Sequence, residues 1–595
     1  MILVLTLLLQ WNSSYELLLV EDARGDAKAL VEALETGDAD VKRQAIRALG
    51  RFERPDLAEH IVPFLDARMA ETRGEAANAL AQMKADALPL TDRLEKERVL
   101  AVRAALYEAL GRIPKSTQKQ LVAGLGEDER ARAGAVKGLE HLLRTVDQPA
   151  TPATVLALRK AVADSRSAEI RELALLALKR AGDRDTETLE IAWRDPSPLV
   201  RRLAVLGLEE WREDPSHIVR YAGLKAAPTC ARAEAALDDP SEHVALLAID
   251  LLGEHCSSIP ASLLERDWRR ASRTLVSLAR VRPNEAKAYL QRFASHDVWQ
   301  ARVYTARAAR ILEDEATLET LRADSHPNVV GAALVTPAHA LVALASDHYG
   351  LLVRALALLE GTVARSDIPT LLSALKRVTN EGRATSRDLR RLMLERLGEL
   401  GVANELEPLL SDFDPFIAEL AASIMSKNGE TAAPKTTGFA PTPAPSETFF
   451  QQLAGAKARI RMKEAGSFVV ALLPEAAPFT VAQFVKLAEA GYYDGLTFHR
   501  IVPNFVLQGG SPGANEFVGT DGYIRDEVGR LSHERGTLGI STRGRDTGDS
   551  QLFINLVDNY RLDHNYTVFA RVVEGLDNVD KVQEGDVMIS VTIER

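Results

Sequence analysis

Asp195-Pro196-Ser197-Pro198-Leu199-Val200-Arg201-Arg202-Leu203-Ala204-Val205-Leu206-Gly207-Leu208 reads as one turn followed by one helix. Asp-Pro-Ser closes the preceding helix and caps the next. Apolar residues then recur at three and four positions, which makes one buried face. The same pattern opens at Asp38-Ala39-Asp40-Val41-Lys42-Arg43 and at Asp239-Pro240-Ser241-Glu242-His243-Val244. Further copies start near Val102, Ile170, Val298, Val329 and Ile417. Ile170 to Val200 and Val298 to Val329 each span about 30 residues, a period that signals a solenoid. One helical pair cannot bury its own apolar face, so the pairs stack into an array over 21–429.

The array resembles HEAT-type repeats of the short, Ala/Arg/Leu-rich kind. Ankyrin and tetratricopeptide arrays are the alternatives, but their Thr-Pro-Leu-His and Trp/Tyr signatures are missing. A solenoid presents a long concave surface, which is expected to bind a protein client or partner. His141, His217 and His243 sit in unrelated repeats, with no His-Glu-x-x-His pair, so no metal is expected. Cys230 opens a helix and Cys256 follows the end of the returning one. A Cys230–Cys256 disulfide is therefore geometrically possible, with two reduced thiols as the alternative.

The whole chain of 595 residues is too long for one core. Its 46 % hydrophobic and 26 % charged content is ordinary for globular protein. A net charge of -11 argues against nucleic acid as the main partner. Arg-rich stretches such as 302–310 could make local basic faces, and are read as solvated helix faces. No apolar run is long enough to span a bilayer as a helix, so no integral membrane span is expected. Residues 2–9 are apolar except for Thr6. They are either part of a signal within 1–20 or the start of the first helical layer. Ser13-Ser14-Tyr15-Glu16 reads as a capping box that opens a helix. The reading leans to a periplasmic or secreted protein, with a cytoplasmic one as the alternative.

After 429 the repeat stops. Residues 430–448 are rich in Pro, Thr and Ala, which reads as a semi-stiff linker that joins the halves flexibly. From 449 the period changes. Strands are expected over 458–462, 467–473, 536–541, 550–555, 566–572 and 586–593, with a helix over 480–490. Many strands with about two helices suggest a closed antiparallel barrel with helical caps.

One stretch in this half carries unusual chemistry: Phe498-His499-Arg500-Ile501-Val502-Pro503-Asn504-Phe505-Val506-Leu507-Gln508-Gly509-Gly510. It sets a guanidinium, which keeps its proton at any ordinary pH, and an amide beside an aromatic, aliphatic surface. No residue in it looks like a nucleophile or a proton shuttle.

With Ala477-Pro478-Phe479-Thr480-Val481-Ala482-Gln483-Phe484, Gly491-Tyr492-Tyr493-Asp494-Gly495, Ser550-Gln551-Leu552-Phe553-Ile554 and Val568-Phe569-Ala570-Arg571-Val572, this stretch resembles the cyclophilin family of peptidyl-prolyl cis-trans isomerases. The resemblance runs over about 456–595. It implies an eight-stranded barrel that accelerates exchange of X-Pro bonds, assists protein folding and uses no cofactor. It gives Arg500 and Gln508 the catalytic positions. It gives Phe505, Val506, Phe553 and Leu562 the proline pocket, and Ser541 and Thr542 a backbone contact with substrate. It makes Gln551 a support for Arg500 and Tyr566 a polar edge. Thr542, Val506, Tyr566 and Arg561 depart from residues usual in the family, and Arg561 puts cyclosporin sensitivity in question. His499 is read as a packed structural histidine. The alternative to an enzyme is a non-catalytic module that binds proline segments on a scaffold protein.

Overall fold

The computed structural model describes residues 14–114, 118–146, 149–435 and 444–595. The apolar run at 2–9 and the centre of the expected linker lie outside the described residues. Helices from Tyr15–Ala23 to Pro415–Lys427 form the array. One helix of each repeat packs on its equivalent in the next, for example Ala168–Arg180 on Pro198–Leu208 and Trp268–Val281 on Trp299–Ile311. Their third positions hold branched residues such as Ile170, Val200, Val219, Val244, Val329 and Ile417, all buried. Val298 departs from the expected register. It stands half-buried at an N-cap, and Ala301 takes the buried third position of that helix.

The repeated Asp and Arg make a ladder along the array. Arg171 caps the Ser165 carbonyl at 2.9 Å and pairs with Asp195 of the next repeat. Arg201 donates to the Asp195 carbonyl at 2.8 Å and to the Asp214 carboxylate at 2.6 Å. Arg220 repeats this with the Asp214 carbonyl at 3.0 Å and the Asp239 carboxylate at 2.7 Å. Each of these aspartates also accepts from the backbone N–H two residues on: Ser197, Ser216 and Ser241, each at 2.8 Å. The expected Ser cap is thus corrected. Ser197 and Ser241 occupy N-caps without a side-chain cap bond, and the aspartate instead fixes the turn by holding the N-cap N–H. Ser14 likewise makes no side-chain cap; its backbone exchanges bonds with Gln44 at 2.7 and 2.9 Å. Cys230, at the start of helix Cys230–Ala235, is bridged to Cys256, with 5.7 Å between Cα atoms.

The C-terminal half is an antiparallel eight-stranded sheet. Its strands are β1 (Lys457–Met462), β2 (Ser467–Leu472), β3 (Phe498–Val502), β4 (Val506–Gly509), β5 (Thr537–Ile540), β6 (Leu552–Asn555), β7 (Val568–Glu574) and β8 (Met588–Glu594). They run in the order β3-β4-β6-β5-β7-β2-β1-β8. Alternation along β1 buries Ala458, Ile460 and Met462. The helix Pro478–Glu489 covers the curled sheet, burying Phe484 and Val485 beside Phe569.

The two halves are docked, which differs from the flexible joining expected from the linker. The array curls round the sheet domain and touches it from its first helices to its last. Arg51 donates to the carbonyls of Val528 and Glu527 at 2.9 Å and of Ala476 at 2.6 Å. Lys137 pairs with Asp563 at 2.9 Å. Asn504 donates to the Ile218 carbonyl at 2.8 Å, and Arg269 to that of Glu584 at 2.9 Å. Thr385 donates to the Thr520 carbonyl at 2.6 Å. Leu18 of the first helix is fully buried in the sheet domain's core beside Phe450. Linker composition reports on the linker alone; it carries no information on whether two folded surfaces complement each other.

Candidate active site

Four neighbouring strands carry the site in one row. Arg500 on β3 pairs with Gln508 on β4, Gln508 with Phe553 on β6, and Phe553 with Gly539 on β5. Directly opposed residues in a sheet share a face. Gly539 leaves room for the aromatic ring, since a Cβ there would meet the Phe553 ring at 2.3 Å.

Arg500 reaches this face through a bulge. Phe498 pairs with Gly509 and Arg500 with Gln508, so His499 is an extra residue on β3. Were His499 an ordinary ladder residue, Arg500 would share a face with Phe498, which is buried in the core. The bulge lets Phe498 point inward and Arg500 outward. Beyond it, Asn504 takes a left-handed turn at φ 58° and sets Phe505 at the rim.

These residues surround a cavity of about 420 Å³. Arg500, Phe505, Val506, Gln508, Ser541, Thr542, Phe553, Leu562 and Tyr566 all line it. Gln551 is buried beside it rather than on its wall. Arg500 donates to Gln508 Oε1 at 3.2 Å, Gln508 donates to Gln551 Oε1 at 3.3 Å, and Gln551 donates to the Val518 carbonyl at 3.1 Å. Gln551 therefore acts on Arg500 through Gln508. The Ser541 N–H is engaged with the Gln551 carbonyl at 2.8 Å, which leaves the Ser541 carbonyl and Thr542 to face the cavity.

The floor is aromatic. Tyr566 meets Phe553 edge-on with centroids 5.8 Å apart, and His533 stacks on Phe553 at 5.7 Å. The Arg561 guanidinium lies over the Phe505 ring at 4.2 Å, so this departure from the family props the pocket's rim. His499 has both ring nitrogens shielded and without a hydrogen-bond partner among the described residues. Burial first, and then the charge of Arg500, push its imidazole down to about 4.

Glu516, Phe517 and Arg543 also line the cavity, and the sequence reading missed them. Glu516 sits 3.4 Å from the Arg500 Nε. They lie on irregular loops with no hydrophobic period, so only spatial proximity could reveal them. Among the described residues, no group of three His, Cys, Asp or Glu is placed to hold a metal ion.

Residues 457–594 match the family described as cyclophilin type peptidyl-prolyl cis-trans isomerase/CLD. Residues 27–111 match HEAT repeats. Peptidyl-prolyl cis-trans isomerase B of Bacillus subtilis is 46% identical over 126 residues, which are 21% of this chain and 87% of the relative. A peptidyl-prolyl cis-trans isomerase of Helicobacter pylori is 41% identical over 130 residues, 21% of this chain and 80% of the relative. One of Synechococcus elongatus is 40% identical over 132 residues, 22% of this chain and 91% of the relative.

Proposed function

This chain belongs, through its C-terminal domain, to the cyclophilin-type peptidyl-prolyl isomerases, and on that premise we propose how its own residues act on an X-Pro bond. The exchange barrier of such a bond is lost amide resonance. In the twisted transition state the prolyl nitrogen becomes pyramidal and gains a lone pair. A guanidinium aimed at that nitrogen binds the transition state better than either ground state. Arg500 takes this role, held by Gln508 and through it by Gln551. Phe505, Val506, Phe553 and Leu562 grip the prolyl ring. The Ser541 carbonyl and Thr542 align the substrate backbone, and Tyr566 gives the pocket a polar edge. The observation that carries this reading is the row Arg500–Gln508–Phe553, which sets the Arg500 guanidinium beside an aromatic-floored cavity.

We also read the eight-stranded sheet as a closed barrel. Phe498 donates to the Asp586 carbonyl at 3.0 Å and Met588 to that of Leu496 at 2.8 Å, so backbone bonds link the β3 and β8 ends. The domain limits read from the sequence, with the array over 21–429 extended back to include helix Tyr15–Ala23 and the isomerase over 449–595, serve as this proposal's division of labour: the array presents protein substrates and the domain isomerises them. A coupled assay on an X-Pro tetrapeptide tests the activity. The full chain should shorten the slow cis-to-trans phase in proportion to its concentration. A folded chain that leaves the uncatalysed phase unchanged would overturn the reading.

A further inference from the structure

Beside the catalytic cavity lies a larger one of about 720 Å³, between β3 and the helices Trp268–Val281 and Trp299–Ile311 of the array. Arg500 lines both cavities, so a chain leaving the proline pocket past Arg500 enters this groove. Five arginines and three carboxylates line it. The carboxylates are engaged: Asp250 with Arg273, Glu584 with the Tyr304 hydroxyl at 2.7 Å, and Glu254 with Arg280 at 3.7 Å.

Two of the arginines are not neutralised. Arg307 lies over the Tyr304 ring at 4.4 Å, and neither it nor Arg310 has an ion-pair partner among the described residues. Both are exposed on the groove. Arg302, the ladder arginine of the same helix, is paired with Asp324, as Arg171, Arg201 and Arg220 are with their aspartates, so Arg307 and Arg310 lie outside the ladder. Arg354 of the next repeat but one adds a third unpaired guanidinium; burial, then Arg310 and Arg307, press it below its ordinary value. An uncompensated cluster of this kind attracts anions and discriminates against cations.

We propose that the array supplies the isomerase with a basic subsite, centred on Arg307 and Arg310, that selects polypeptides carrying acidic side chains beside the X-Pro bond. The inference rests on the isomerase reading. The solvated-face reading of 302–310 is thereby revised, since this helix faces a groove shared with the catalytic arginine. Guanidinium–carboxylate contacts are charge-assisted and strong in a partly enclosed site, and salt weakens them.

The test uses the full chain and peptides that share one X-Pro core, flanked on either side by Glu, Gln or Lys. Binding is read by fluorescence anisotropy and turnover by kcat/KM. At low salt one Glu-flanked peptide should gain about tenfold over its Gln counterpart in both readouts, and the Lys-flanked peptide should lose. At high salt the gain should shrink. Arg307→Gln with Arg310→Gln should abolish the gain and leave turnover of the unflanked core unchanged. Equal binding of Glu- and Lys-flanked peptides at low salt would overturn the proposal, as would a gain that survives in the folded double variant. Glu-selective binding with no turnover of any peptide would uphold the groove and overturn the isomerase reading.

Discussion

Arg500 owes its aim to its neighbour. Because His499 bulges out of the ladder, Arg500 directly opposes Gln508 and shares its face with Gln508 and Phe553. The sequence showed Phe-His-Arg as a unit but not the bulge, because a register shift depends on the partner strand. His499 stays neutral down to about pH 4, and a guanidinium does not titrate in the working range. His499 should therefore impose no step on the pH profile of kcat/KM between about pH 5 and 8. A step in that interval that His499→Gln removes would assign His499 a proton-transfer role. For stability the sign follows from the lowered value. The folded imidazole binds its proton less readily than the unfolded one. Its contribution is present above about pH 6.5 and is lost as the pH falls towards 4. His499→Gln should accordingly lose less stability than the parent over that interval, measured by thermal melts.

At the scale of elements, the ladder and the disulfide do different work. Arg201 links two repeats through a carboxylate and a carbonyl, and the Asp214 side chain it reaches is 3% exposed. Arg201→Ala leaves that carboxylate buried with the Ser216 N–H. It should cost about 2 to 4 kcal/mol, read from urea unfolding and from faster amide exchange in the helix His217–Ala226. Unchanged exchange there would mean that apolar packing alone joins the repeats. The Cys230–Cys256 bridge staples Cys230–Ala235 to the end of Glu242–His255. Protein taken directly from its native compartment should gain no mass on thiol alkylation without reductant. Two free thiols would remove both the bridge and the lean towards export. The helix period and the Asp-Pro-Ser turns were legible in the sequence because they are local. The rungs were not, since Arg201 and Asp214 belong to neighbouring repeats and nothing in either repeat names its partner.

For the whole molecule the seating of the domain inside the array is the unforeseen feature. The Pro-rich segment said that the halves could separate; Arg51, Lys137 and Arg269 hold them together. Arg51 illustrates why this escaped the sequence reading. It looks like the last basic residue of an amphipathic helix, yet its side chain is 1% exposed and caps three carbonyls of the other half while pairing with Glu21. Burial alone would raise the Glu21 carboxyl, but Arg51, Arg47 and Arg24 outweigh it and hold it down to about 2. Replacing Arg51, Lys137 and Arg269 together with Ala should release the domain. The hydrodynamic radius should grow. A variant as compact as the parent would show that the seat depends on other contacts. The identity of the catalytic domain, by contrast, was legible from its motifs, because Phe498–Val502 and Leu552–Asn555 carry their chemistry in contiguous sequence.

In the proposed mechanism the Arg500 guanidinium lowers the barrier of a bond that is never broken. The direct measurement is kcat/KM for X-Pro isomerisation by the whole chain, with and without Arg500→Ala. Arg500→Ala should lose on the order of tenfold to a thousandfold, equal to about 1.4 to 4 kcal/mol of transition-state stabilisation, with peptide affinity largely kept. A folded Arg500→Ala protein that isomerises as fast as the parent would contradict it.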